Sequence, residues 1–276
     1  MSDRDIIRFL LLGAGAFAAF LVWMAMRHRR RAAEVAQPFP PEWRTLLKQA
    51  LPLYSRMPQT LRQQLEPLVR AFLAEVRFVG CDGLEITDEM RLLIATQACL
   101  LIAENNPKAY RDLMSVLVYP DRFVIERQDE DEAGVVTQFE DEVSGEAQDT
   151  TRIVLSWRDI REPSVEEEVC NVVLHEFAHY LDASVGGDFT DLEGRHDSLA
   201  QWHDLLEEEF NAHCDAVDRD EETLISPAGA DDPAEFFAYA TEVFFEIPGR
   251  MRQRHPQLYE GLKQAYGLDP AEWRTG

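Results

Sequence analysis

Two histidines four residues apart enclose a glutamate in the segment His175-Glu176-Phe177-Ala178-His179. On a helix that spacing places both imidazoles on one face, one turn apart. Two nitrogens so placed can reach one tetrahedral Zn2+ at about 2.0–2.1 Å. A glutamate beside the first histidine can reach a metal-bound water and is the residue type a general base requires. The flanking residues Val172, Val173, Leu174, Phe177 and Leu181 are apolar, so the helix is expected to be buried. Burying two histidines and a glutamate without a metal would strand costly polar groups. The chemistry these residue types imply is metal-assisted hydrolysis.

Catalytic zinc takes three protein ligands and leaves one position open. A third donor is offered by Asp232-Pro233-Ala234-Glu235-Phe236-Phe237. Asp232 suits a helix N-cap and Pro233 the first helical position, which puts Glu235 at the third. A glutamate there is equally an ordinary capping-box residue. Glu242 lies seven residues on, on the same face, as a ligand or as a carboxylate that orients a histidine. Asp182 shares a face with His175 and His179 and is a similar orienting candidate. His196, His203 and His213 are further nitrogen donors, but their polar, charge-rich surroundings read as surface.

The elements that must position these residues follow from periodicity and punctuation. Ser164-Val165-Glu166-Glu167 has capping-box spacing and predicts a helix from there to about Ala183. Helical spacing of apolar residues runs from Trp43 to about Ala74, broken near Pro58. Thr87 caps a nearly all-apolar helix with its body at 91–104. Val76–Phe78, Val116–Tyr119, Phe123–Ile125 and Ile153–Trp157 read as strands. The acidic stretch 128–150 reads as an irregular, solvated loop. Beyond it and the last strand the chain is mostly helical. The composite is an α+β domain with a small sheet and a helical majority.

The net charge of −24 is uneven. Residues 1–37 hold six arginines against Asp3, Asp5 and Glu34, and that balance of +3 leaves −27 for the remainder. So acidic a domain repels phosphate backbones, which argues against direct nucleic acid binding. Cys81, Cys99, Cys170 and Cys214 form no CxxC pair and read as free thiols. Phe9–Met26 contains no charged residue, about the minimum length to cross a bilayer as a helix. The basic cluster Arg27-His28-Arg29-Arg30-Arg31 follows it, which opposes signal cleavage and fits a retained anchor. The positive-inside rule then places all that follows in the cytoplasm. The organisation expected is a transmembrane anchor with basic flank (1–31), a proline-containing linker (32–42) and a peptidase domain (43–276). The localisation expected is a bacterial inner membrane, spanned once.

Several stretches together resemble one family. They are Gly83-Leu84-Glu85-Ile86-Thr87-Asp88-Glu89-Met90, Ser144-Gly145-Glu146-Ala147, Val154-Leu155-Ser156-Trp157, His175 through Asp182, and Asp232 through Phe237. In order and separation they resemble the Mlc titration factor A family of zinc-dependent peptidases, over roughly 43–273. The resemblance implies a zincin-type metallopeptidase fold similar to the anthrax lethal factor peptidase domain. It implies Zn2+ held by His175, His179 and Glu235, with Glu176 as catalytic base. It implies peptide or protein substrates, activity of aminopeptidase type, and a repressor-type protein partner. Two departures stand out. Ala228 occupies the place of a family tyrosine thought to steady the oxyanion. Gln148 follows Gly-Glu-Ala where the family often has an aromatic residue.

Overall fold

The computed structural model describes residues 37–104, 109–121, 123–130, 136–143, 145–149, 151–162, 169–184 and 196–273, with isolated positions before residue 30. Proline opens the first two helices after residue 37, where its missing N–H costs nothing and its fixed φ is already helical. These are α1 (Pro41–Ala50) and α2 (Pro52–Arg56), followed by α3 (Gln59–Glu75). Phe39, within the proline segment, is buried and packs edge-on against Trp43. Arg70 of α3 donates to Gln37 Oε1 and Pro38 O, which ties that segment down.

Strand β1 (Arg77–Gly80) leads into a turn in which Asp82 and Gly83 have positive φ. A Cβ on Gly80 would fall 1.8 Å from Leu84 O, so the chain can double back there only over a glycine. Thr87 caps α4 (Asp88–Leu101) as expected, its Oγ1 accepting from Met90 N at 3.2 Å. Almost every α4 side chain is buried, which makes it the central core helix.

Strands β2 (Ser115–Tyr119) and β6 (Arg152–Ser156) follow the sequence expectation, with Trp157 instead starting the short helix α5 (Trp157–Arg161). Between them the acidic stretch departs from it. The described residues of 123–149 form β3 (Phe123–Glu130), β4 (Val136–Val143) and β5 (Gly145–Asp149). β3 and β4 pair antiparallel from Phe123↔Val143 to Glu130↔Val136. A run of charges reports that side chains prefer water, whereas a ladder needs only backbone groups that meet across a short connection. The main sheet has the order β1-β2-β6-β5, with β1, β2 and β6 parallel and β5 antiparallel to β6.

The rest is helical: α6 (Val172–Ser184), α7 (His196–Asp218), a 3₁₀ turn (Pro227–Ala230), α8 (Pro233–Glu246), α9 (Pro248–Arg254) and α10 (Pro256–Tyr266). The α+β expectation therefore holds. Helix α6 packs against α4, α8, β5 and β6, so it lies between the sheet and the C-terminal helices. The expected membrane span, 9–26, lies outside the described residues save for isolated positions. Among the described residues no helix is long and apolar enough to cross a membrane. All four cysteines are free thiols, as read from the sequence.

Candidate metal centre

Helix α6 starts later than the Ser164 capping box predicts. Residues 169–171 are not helical, and Asn171 is the cap: its Oδ1 accepts from Leu174 N at 3.1 Å, and its carbonyl accepts from His175 N. The Asn171 N–H is used elsewhere, on Glu242, so it donates into no preceding turn. Ser164 itself lies outside the described residues. An asparagine directly before an apolar run was the sequence signal for this boundary.

On α6, Leu174, Phe177, Ala178 and Leu181 are all but fully buried, and Phe177 contacts Phe72 and Tyr110. That apolar grip fixes the rotation of the helix and turns His175 and His179 toward α8. Helix α8 begins as the sequence indicates. Asp232 Oδ1 accepts from Ala234 N at 2.8 Å and Glu235 N at 2.9 Å, with Pro233 at the first position. Because Asp232 does the capping, the Glu235 side chain is free to point across to α6.

His175, His179 and Glu235 converge. The two Nε2 atoms lie 3.1 Å apart. Glu235 Oε2 is 3.2 Å from His175 Nε2, and Oε1 is 3.3 Å from His179 Nε2. Ligands bound at about 2.0–2.1 Å around a tetrahedral ion stand about 3.3–3.4 Å apart. Each imidazole faces a different oxygen of the Glu235 carboxylate at about that spacing, so the cluster has the size of a zinc-ligand set, and the donor set of two imidazoles and a carboxylate suits zinc.

Glu242 is not part of that cluster. It is 2 % exposed, and its Oε1 takes the His175 Nδ1–H at 2.8 Å, leaving the Nε2 lone pair for a metal. Of the two alternatives left open for Glu242, this contact with Nδ1 is the one an orienting carboxylate makes. Without an ion, the electrostatics of the cluster are strong. Burial opposes charge on His175, but hydrogen bonds to Glu235 and Glu242 outweigh it and push the imidazole pKa up to about 10. Burial likewise opposes charge on Glu235, yet His175 and His179 hold it well below the usual carboxylate range. Glu176, beside the first histidine, is 5 % exposed. The Tyr239 ring stands edge-on to His175, with centroids 4.6 Å apart.

His213, read from sequence as a surface residue, is buried at 4 %. It donates from Nε2 to Ser226 O at 3.0 Å and packs on Phe236. It thereby tethers the turn that carries Ala228, and it is no member of the converging set. Its polar neighbours in sequence face outward on the other sides of α7, which is why the segment looks like surface. His203 is exposed, as expected, and the side chain of His196 is not among the described ones. A cavity of about 390 Å3 borders the start of α6, lined among others by Leu93, Gln97, Asn171 and Glu246. None of the three converging residues lines it.

A family profile described as glucose-regulated metallo-peptidase M90 matches residues 24–267. The chain belongs to this family. Among its relatives, an uncharacterized protein of Synechocystis sp. is 35% identical over 275 residues, covering 98% of each chain. Mlc titration factor A of Serratia proteamaculans is 30% identical over 252 residues, 90% of this chain and 93% of the relative. Mlc titration factor A of Klebsiella pneumoniae (strain 342) is 32% identical over 228 residues, 81% of this chain and 85% of the relative. The resemblance drawn from the motifs is therefore correct, and a metal site is in keeping with a metallo-peptidase M90 chain.

Proposed function

We propose that the chain is a zinc-dependent peptidase, with His175, His179 and Glu235 as metal ligands and Glu176 as general base. The observation that carries this reading is the convergence of the His175 and His179 Nε2 atoms, 3.1 Å apart, on the two oxygens of the Glu235 carboxylate at 3.2 and 3.3 Å. Zinc held by His175, His179 and Glu235 would supply a water of lowered pKa and a Lewis acid for the scissile carbonyl. The carboxylate of Glu176 takes the proton from the attacking water and hands it to the leaving amine. Glu242 keeps the His175 proton on Nδ1.

The sheet bears on how a peptide is held. The sequence suggests the strand around Val154–Trp157 as an edge on which a peptide could align, but β6 has no free edge, being paired to β2 and to β5. Among the described residues the open edge on that side is β5, against which α6 packs. A peptide in extended form adds to β5 by main-chain hydrogen bonds.

The test is hydrolysis of a peptide library by the purified chain, with and without chelator, beside Glu176→Gln. Equal activity in all three would end the proposal. Loss of the general base is expected to cut turnover by about 10²–10⁴.

A second reading is favoured by Ala228, half-buried in the 3₁₀ turn on α8. If the family tyrosine steadies an oxyanion, its absence costs about a hundredfold to a thousandfold in rate. The relatives named Mlc titration factor A then suggest a chain that binds a repressor or other protein, with weak or no catalysis. Ala228→Tyr separates the two readings. A large gain in turnover marks an enzyme short of one donor; no gain points to another oxyanion donor if the wild type already turns over, and to the binding role if it does not.

Attachment of the amino terminus to the inner membrane, with the domain in the cytoplasm, completes the proposal. It rests on the uncharged run 9–26 followed by Arg27–Arg31. A carboxy-terminal reporter active only in the periplasm would contradict it.

A further inference from the structure

We propose that Asn171 is a positioning residue for His175, acting through Glu242 and held in place by Gln97 and Glu246. The inference rests on the metal site proposed above and concerns what keeps that site in register.

Glu242 is buried, so both carboxylate oxygens need partners. Oε1 has the His175 Nδ1–H. Oε2 has the main-chain N–H of Asn171. The second bond prevents the carboxylate from rotating away from the imidazole, so the location of one N–H fixes the direction of a ligand ring four residues further along the chain. The geometry of that N–H depends on the Asn171 side chain. Its Oδ1 caps α6 through Leu174 N at 3.1 Å. Its Nδ2 bridges two other helices, donating to Gln97 Oε1 on α4 at 2.7 Å and to Glu246 Oε1 on α8 at 2.8 Å.

Both acceptors are themselves fixed. Gln97, 3 % exposed, spends its amide N–H on Leu93 O at 3.2 Å, which leaves Oε1 turned toward Asn171. Glu246 is held by Arg56 of α2, whose Nη2 lies 2.8 Å from Oε2. The same guanidinium donates to the last carbonyls of α8, Phe245 O at 3.1 Å and Glu246 O at 2.7 Å. A path of hydrogen bonds therefore runs from Arg56 through Glu246, Asn171 and Glu242 to His175. Three helices converge on one asparagine, far more than a cap requires.

A residue that only caps and a residue that positions a ligand respond differently to serine. Serine caps as well as asparagine, but it cannot bridge Gln97 and Glu246. The experiment uses the full chain as wild type, Asn171→Ser and Asn171→Ala. Zinc affinity is measured by competition with a chromophoric chelator. Thermal unfolding of the metal-free protein and the visible spectrum of the cobalt(II) form accompany it. Expected for Asn171→Ser is near-wild-type unfolding without metal, zinc bound about 10- to 100-fold more weakly, and a shifted cobalt spectrum. Wild-type affinity and spectrum in Asn171→Ser, with only Asn171→Ala impaired, would reduce Asn171 to a cap and overturn the proposal. Should the serine variant not fold, Gln97→Met leaves the cap intact and carries the same test: unchanged affinity there also overturns it. A wild-type chain that binds no zinc strikes at the metal site itself, a failure distinct from that of the positioning role.

Discussion

At His175 the two ring nitrogens do different work. Nδ1 meets Glu242 at 2.8 Å, and Nε2 meets Glu235 and His179 at 3.2 and 3.1 Å. The two glutamates therefore have separable consequences. Glu235→Gln removes a ligand charge, and zinc content after dialysis should fall close to zero. Glu242→Gln leaves all three ligands but weakens the hold on the imidazole, so zinc affinity should drop about 10- to 100-fold. If both variants kept wild-type affinity in chelator competition, the assignment of ligand and orienting carboxylate would be wrong. Glu235 and Glu242 share a face of α8, seven residues apart, so spacing alone could not choose between them. The choice depends on where along α8 the α6 histidines come to rest.

Helices meet closely where a small residue lets them. A Cβ on Gly261 of α10 would fall 2.3 Å from Trp202 Cζ3 and 2.8 Å from Cε3. Trp202, on α7, is buried and cannot step aside cheaply. Gly261→Ala should therefore destabilise the fold by about 1–3 kcal/mol, despite the better helix propensity of alanine. Thermal denaturation checks this, and a rise in Tm would contradict it. Element boundaries show what is read locally. Thr87 and Asp232 were recognisable as caps because the bonds they make span only two or three residues. The start of α6 was misplaced because a capping-box spacing upstream competes with Asn171, whose use as cap is reinforced by partners on α4 and α8.

The whole molecule should respond to metal and to acid. Ligand that binds only the folded state stabilises it by mass action, about 4 kcal/mol at a thousandfold excess over Kd. Chelation should thus lower the Tm of the loaded protein by several degrees, and readdition of zinc should restore it. The C-terminal segment is latched by Asp269, which accepts from Tyr259 Oη at 2.5 Å and pairs with Lys263 Nζ at 2.9 Å. Burial opposes its charge, but these partners outweigh it and hold its pKa below the usual carboxylate range. A depressed folded pKa means the contribution is present above the unfolded value, near 3.8, and is lost as pH falls through the folded one. Asp269→Asn should lower stability at neutral pH by about 2 kcal/mol, with the gap to wild type closing under acid. At the other end, burial of Phe39 places part of the core ahead of Trp43. A truncation that begins at Trp43 should be less stable than one that begins at Gln37 by about 2 kcal/mol, measurable by denaturant titration.

What the sequence determined by itself was the local chemistry: a helix bearing His175 and His179 on one face, a capped helix delivering Glu235, and an α+β pattern with a helical majority. These follow from three- and four-residue geometry, which any short segment carries within itself. Tertiary structure decided which carboxylate joins the histidines and which orients one of them. It also decided that His213 is buried under the Ala228 turn, that β6 is interior, and that the acidic stretch pairs as strands. Each of those outcomes depends on contacts between segments far apart in the chain, where backbone pairing and burial outrank the composition of either segment alone.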